Sequence, residues 1–113
     1  MEKPIDRSLI VIDIGGTNIR INHVDCITKT PDNKTEIFPS SSLVPTAPID
    51  ALINLINTYI AKQRIIPEAI VIGLPASFDA NMDEVIRCTN LPFLQHCKLA
   101  TALRTRFHVP VFL

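Results

Sequence analysis

The sequence predicts an α/β fold, and three observations carry that prediction. Residues 9–14 (LIVIDI), 69–74 (AIVIGL) and 109–113 (VPVFL) are apolar, β-branched runs of strand length. Residues 48–64 separate the first two and repeat apolar side chains at helical spacing. The 113-residue chain is 47% hydrophobic and 19% charged, enough apolar material for one packed domain and too apolar for a disordered one.

Taken in order, residues 1–7 are a short polar lead. It has no apolar signal-peptide core and is too short for a DNA-binding helix-turn-helix. Residues 9–14 read as a buried strand with Asp13 near its C-terminal end, where strands of α/β sheets present functional groups. Gly15-Gly16 predicts a tight reversal that uses φ > 0 and lets backbone amides approach a ligand. Beyond it Ile19, Ile21 and His23 alternate with Arg20, Asn22 and Val24, the period of a second strand ending near Asp25. Residues 28–34 carry turn chemistry in Pro31-Asp32-Asn33 and lead to an edge strand over 35–38, closing a three-stranded antiparallel meander. The Ser/Pro-rich residues 39–48 read as a mobile surface loop.

Residues 48–64 are the clearest helix, with Ile49, Leu52, Ile53, Ile56, Tyr59 and Ile60 on one stripe. Pro48 suits the first helical position, Asp50 the first turn, and Lys62 and Arg64 the last. Pro67 bars continuation. Residues 69–74, reached through that helix, read as a second buried strand parallel to the first, ended by Gly73 and Pro75. A polar turn over 79–84, a short strand over 85–88 and the loop Thr89-Asn90-Leu91-Pro92 follow. A second helix over 94–107 aligns Leu99, Leu103 and Phe107, and 109–113 is a third buried strand.

Lys+Arg and Asp+Glu number 11 each, so the formal net charge is zero. Nothing in that balance favours a nucleic-acid or anionic-membrane face. No apolar run approaches the roughly 20 residues that span a bilayer. Cys26, Cys88 and Cys97 are odd in number and lack CxxC spacing, which reads as reduced thiols of a cytoplasmic protein. His23, His96 and His108 have no metal-ligand spacing, and residues 40–42 lack a nucleophile elbow.

The chemistry concentrates in residues 13–20, D-I-G-G-T-N-I-R. A carboxylate beside a turn rich in exposed N–H groups is the arrangement expected where Mg²⁺ and nucleotide phosphates meet. The P-loop pattern and G-x-G-x-x-G are both absent. Read alone, Gly-Gly is an ordinary hairpin turn and a strand-end aspartate a solvated group. Taken whole, the stretch resembles the first phosphate motif, D-x-G-G-T-x-x-R/K, of ROK-family sugar kinases in the actin-like ATPase superfamily. The resemblance implies ATP and Mg²⁺ as cofactors, with Asp13, Gly15, Gly16, Thr17, Asn18 and Arg20 at the phosphates. Asp13 would organise Mg²⁺ through water, and Gly15, Gly16 and Thr17 would cradle the β/γ-phosphates. Arg20 would either balance phosphate charge or brace the hairpin.

Residues 73–93, GLPASFDANMDEVIRCTNLPF, resemble the same family's G-x-P-G-x-V-D, hairpin and P-N-L-P pattern, which lines the sugar site. Allose kinase-like members are most similar in spacing. The resemblance implies that Gly73, Pro75, Ala76, Ser77, Thr89 and Asn90 lie beside sugar hydroxyls. Ala76 stands where many members have glycine, Phe78 replaces a small aliphatic residue, and Cys88-Thr89 precede Asn90 without the common proline. These departures leave the sugar open. Without the resemblance Asn90 is a turn former, and Asp79 reads as structural.

The resemblance further implies a ribonuclease H-like half-domain over residues 1–113, a five-stranded mixed sheet with flanking helices. The family's general base, in an N-D-x-N segment, is expected just after Leu113, so no catalytic base is expected within the chain. The C-terminal lobe, its adenosine motif and the His/Cys zinc cluster are not in this sequence. The implied function is the N-terminal lobe of an ATP- and Mg²⁺-dependent hexose kinase, inactive as this isolated chain. Its partners are a sugar and ATP, with no nucleic acid and no membrane; an unshielded last strand leaves homo-oligomers open. Two alternatives stand beside it: a sugar-sensing transcriptional regulator of the same family lacking its DNA-binding domain, and a non-catalytic binding lobe.

Overall fold

The computed structural model describes residues 6–29 and 35–113. Residues 1–5 of the polar lead and residues 30–34 of the expected turn lie outside the described residues. Strand β1 (Asp6–Ile14) pairs antiparallel with β2 (Asn18–Asp25), which pairs antiparallel with β3 (Glu36–Pro39). Helix α1 (Pro48–Gln63) crosses to β4 (Ile65–Gly73), parallel to β1. A short hairpin of β5 (Ser77–Phe78) and β6 (Val85–Arg87) precedes helix α2 (Leu99–Phe107) and β7 (Val111–Phe112), parallel to β4. The main sheet has five strands in the order β3-β2-β1-β4-β7. This is the α/β class that the sequence predicts, with the five-stranded mixed sheet and flanking helices that the resemblance implies.

One face of the sheet makes the core. Ile10, Ile12 and Ile14 of β1, Ile19 and Ile21 of β2, and Ile70 and Ile72 of β4 are all buried there. They join Leu52, Ile56 and Tyr59 of α1 and Leu99, Ala100 and Leu103 of α2 in a single cluster. Each isoleucine so buried is worth about 1.5–3 kcal/mol relative to exposure. His23, also buried, meets the Tyr59 hydroxyl at 2.7 Å through Nδ1, with the two rings edge to face.

The opposite face corrects the reading of three fully buried strands. Val11 and Val71 are each 37% exposed and Phe112 57%. Both helices pack on the isoleucine face, so strands of continuous apolar sequence are covered on one side only among the described residues. β1 also starts at Asp6 rather than Leu9, taking in the last two residues of the predicted lead.

Three boundaries depart from expectation for local reasons. α1 ends at Gln63 because Arg64 turns left-handed (φ 54°), its N–H returning to the Ile60 carbonyl. Pro67 therefore lies inside β4, beside the register shift opposite Ser8 and Leu9, where a missing N–H is tolerated. Residues 39–48 are tied down at their start, unlike the mobile loop expected. Ser40 and Leu43 are buried around a 3₁₀ turn, Ser40–Ser42.

α2 is shorter than the predicted 94–107 because a distant residue sets its start. Asp83 accepts the Thr101 N–H at 2.7 Å through Oδ1 and the Thr101 hydroxyl at 2.6 Å through Oδ2. Its carbonyl also accepts the Leu99 N–H at 3.0 Å. Residues 96–97 meanwhile bond to Val85, which peels the segment before Leu99 away from the helix. An aspartate from another element thus caps α2, whose own preceding residue, Lys98, makes no side-chain cap.

Asp83→Ala is expected to cost about 1 kcal/mol in urea denaturation, the usual cost of a lost cap. Burial raises the Asp83 pKa, but the Thr101 hydrogen bonds and the charges of Arg104 and Lys98 outweigh it, leaving the value below its ordinary 3.8. The carboxylate's contribution is therefore present above about pH 4 and lost as acid titrates the folded state through that depressed value. Stability measured against pH should show the wild-type advantage over Asp83→Asn shrinking on acidification below pH 4.

Candidate functional site

Asp13 reaches the site because its neighbours cannot. Strand alternation sends Ile12 and Ile14 into the core and turns Asp13 to the exposed face at the C-terminal end of β1. There it sits in register with Arg20 of β2 on one side and Gly73 of β4 on the other. A Cβ on Gly73 would lie 3.6 Å from Asp13 Oδ1, ordinary contact distance, so glycine keeps open space beside the carboxylate rather than avoiding a clash.

The turn that follows uses its glycines differently from the sequence-based expectation. No glycine in the chain has positive φ. The requirement is room. A Cβ on Gly15 would come within 3.2 Å of the Asn18 carbonyl oxygen, and one on Gly16 within 3.1 Å of the Asn90 Cβ. The Gly15 N–H donates to the Asn18 carbonyl at 2.9 Å, closing the hairpin. Gly16, Thr17 and Asn18 are exposed. The backbone amides of Gly16 and Thr17 have no acceptor among the described residues.

Bracing of this hairpin comes from a residue the sequence does not single out. Ser40, buried beneath the turn, donates its hydroxyl to the Gly15 carbonyl at 2.6 Å and its N–H to the Thr17 carbonyl at 2.8 Å. Arg20 is exposed and makes no ion pair or side-chain hydrogen bond among the described residues. Nothing local marks Ser40, because a serine in a Ser/Pro-rich run reads as loop.

The second constellation arrives across the sheet end. Gly73 closes β4 beside Asp13, and Ala76, half-buried, donates its N–H to the Leu74 carbonyl at 2.8 Å. Pro75, Ser77, Thr89 and Asn90 are exposed. Asn90 is carried to Gly16 by a segment anchored on both sides: Cys88 and Leu91 are buried, and the Cys88 N–H donates to Gln95 Oε1 at 3.1 Å. The contacts thus join Asp13 to Gly73 and Gly16 to Asn90; Pro75, Ser77 and Thr89 make no side-chain hydrogen bond among the described residues. Asp79 is occupied otherwise. Its Oδ1 accepts the N–H groups of Asp83 and Glu84 at 2.8 and 3.0 Å, holding the turn of the β5–β6 hairpin.

Other chemistry is sparse. Among the described residues no three His, Cys, Asp or Glu side chains converge as a metal site. The cysteines are free thiols, and burial pushes the Cys97 thiol up. Among the described residues no helix is long and apolar enough to cross a membrane.

The family model described as "ROK family" matches residues 9–113. No match was found among curated protein sequences. Among solved structures, a candidate sugar kinase from Cytophaga hutchinsonii superposes with a TM-score of 0.77 at 20% identity, covering 93% of this chain and 35% of that one. A ROK family glucokinase from Streptomyces griseus, in complex with glucose and AMPPNP, gives 0.73 at 24% identity, covering 94% and 32%. A ROK family transcriptional regulator, a homolog of the E. coli MLC protein, gives 0.73 at 13% identity, covering 95% and 27%. The chain therefore spans about a third of the length of the structures it resembles.

Gly16→Ala is expected to make the exposed Asn90 side chain give by a few tenths of an ångström, and Asn90→Gly to remove the conflict. A double-mutant cycle by chemical denaturation should give a coupling of about 0.5 kcal/mol or more, as for residues in contact. Strict additivity would mean that the two segments do not touch.

Proposed function

The chain belongs to the ROK family, and from that premise we propose that it is the N-terminal lobe of an ATP- and Mg²⁺-dependent hexose kinase. The observation that carries the reading is the juxtaposition of an exposed carboxylate, Asp13, with a turn whose Gly16 and Thr17 amides lack acceptors among the described residues. Unpaired amides fit phosphate oxygens, and a solvated carboxylate fits a hydrated Mg²⁺, which keeps several of its waters. The donors present fit the group.

In this reading the backbone N–H groups of Gly16 and Thr17, with the Thr17 hydroxyl, bind the β/γ-phosphates of ATP. Asn18 borders the same turn, and Gly15 leaves room for its closure. Arg20, exposed and without a partner among the described residues, adds positive charge to the phosphate side. Asp13 orients the waters of the metal and faces the sugar end of the site. When bound, Mg²⁺ neutralises charge on the transferring phosphoryl group. Asn90 and the turn from Gly73 through Pro75 and Ala76 to Ser77, with Thr89, supply the donors and acceptors that select sugar hydroxyls, where an unmatched polar group costs affinity strongly.

The general base and the adenosine contacts are assigned to a second lobe beyond these residues. Phosphoryl transfer depends on closing two lobes round the nucleotide, so this chain alone should phosphorylate no hexose above background in a coupled assay with MgATP. In a protein carrying both lobes, Asp13→Asn is expected to lower kcat by a factor on the order of 100 or more, the scale set by losing one preorganised electrostatic contact. Unchanged kcat would remove Asp13 from its role.

A second reading, a sugar-sensing transcriptional regulator of the same family, draws on the regulator superposing as well as the glucokinase does, each at a TM-score of 0.73. The two-lobe protein decides between them. Hexose-dependent ADP release supports the kinase, and sugar binding without turnover supports the regulator.

A further inference from the structure

We propose that Ser40 is the positioning residue of the phosphate-binding turn: its hydroxyl holds the Gly15–Gly16 peptide in the orientation that presents the Gly16 amide to an anion. The inference rests on the reading of residues 15–18 as a phosphate site and names the group that sets its geometry.

Peptide planarity sets the geometry of the turn. Every peptide bond among the described residues is trans, and in a trans peptide the C=O of one residue and the N–H of the next point in opposite directions. The Ser40 hydroxyl holds the Gly15 carbonyl at 2.6 Å. That bond turns the Gly16 N–H away from Ser40. The Ser40 N–H likewise holds the Thr17 carbonyl at 2.8 Å, which turns the Asn18 N–H away. A single residue behind the turn thus takes up two carbonyls that would otherwise be free to face, and repel, a phosphate.

Ser40 is itself immobilised. It is 2% exposed, and its carbonyl accepts the Leu43 N–H at 3.0 Å while Leu43 is buried in the core. A hydroxyl has one proton to donate, and here it is spent on Gly15. Glycine at 15 and 16 makes the brace necessary. Neither residue has a side chain to restrict its backbone, so without an external bond the Gly15–Gly16 peptide can rotate, and ordering it would be charged against anion affinity. The brace is therefore a preorganising device of the kind that makes an anion hole effective.

The test is an amide-resolved NMR titration of the 113-residue chain with tripolyphosphate, and separately with MgATP, against NaCl at matched ionic strength. In the wild type the Gly16 and Thr17 amides should shift saturably with both phosphates and not with chloride. Ser40→Ala keeps the backbone bond to Thr17 and should weaken that affinity about tenfold, the effect of one lost hydrogen bond, at a temperature where the variant is fully folded. Ser40→Thr, which restores the hydroxyl, should recover most of the loss. Should the alanine variant not fold, Ser40→Cys keeps the shape with a poorer donor and should also bind more weakly than wild type. Wild-type amides that ignore phosphate would overturn the phosphate site itself. Responsive wild-type amides with equal affinity in Ser40→Ala, or in Ser40→Cys, would overturn only the role of Ser40, leaving it a stability residue.

Discussion

Burial of Ile10, Ile12 and Ile14 beneath α1 and α2 decides where Asp13 points. Side chains of a strand alternate, so a shift of one residue would bury the carboxylate and expose the isoleucines. Three fully buried isoleucines outweigh any local preference of the hairpin, at about 1.5–3 kcal/mol each. The same register carries Arg20 to the carboxylate's side and sends Ile19 and Ile21 to the core. The position of the candidate site is thus a by-product of the largest favourable term in the fold.

On that frame, segments far apart in sequence, Asp13 with Gly73 and Gly16 with Asn90, converge at one sheet end. Parallel pairing of β1 with β4 sets Gly73 beside Asp13. The route back to Gly16 is longer. It runs through the β5–β6 hairpin, the anchored Cys88 and Leu91, and Asn90. Asp83 fastens that excursion to α2, and Asp79 holds its turn. The two carboxylates of this region that make hydrogen bonds serve architecture, whereas Asp13 is left to solvent.

Much of this was legible in the residues, and the misses have one physical origin. The isoleucine-rich runs marked the strands, and Pro48 with the stripe from Ile49 to Ile60 marked α1, because these signals are local and periodic. The D-I-G-G-T-N-I-R stretch marked the turn correctly, but not through the positive φ expected of its glycines. Its glycines answer to Asn18 and Asn90 across space, not to handedness. The start of α2 depends on Asp83, 18 residues before Thr101, and the anchoring of residues 40–43 on carbonyls of another hairpin. Helix-forming propensity in residues 94–98 could not reveal either. Apolar continuity in residues 9–14 and 69–74 likewise reported composition rather than coverage, since Val11 and Val71 face outward here. Contacts between distant segments leave no local pattern.

The irregularity in the β1–β4 ladder lies between Ser8 and Leu9, at the end of the strands remote from Asp13. From Leu9 onward the pairing is regular through Asp13 and Gly73. The misfit contributed by Pro67 and its neighbour Glu68 is thus absorbed before the ladder reaches the carboxylate, as a joint at the base of a lever leaves the tip aligned. The irregularity at the helix-to-strand junction is thereby kept apart from the end of the ladder that carries the candidate site.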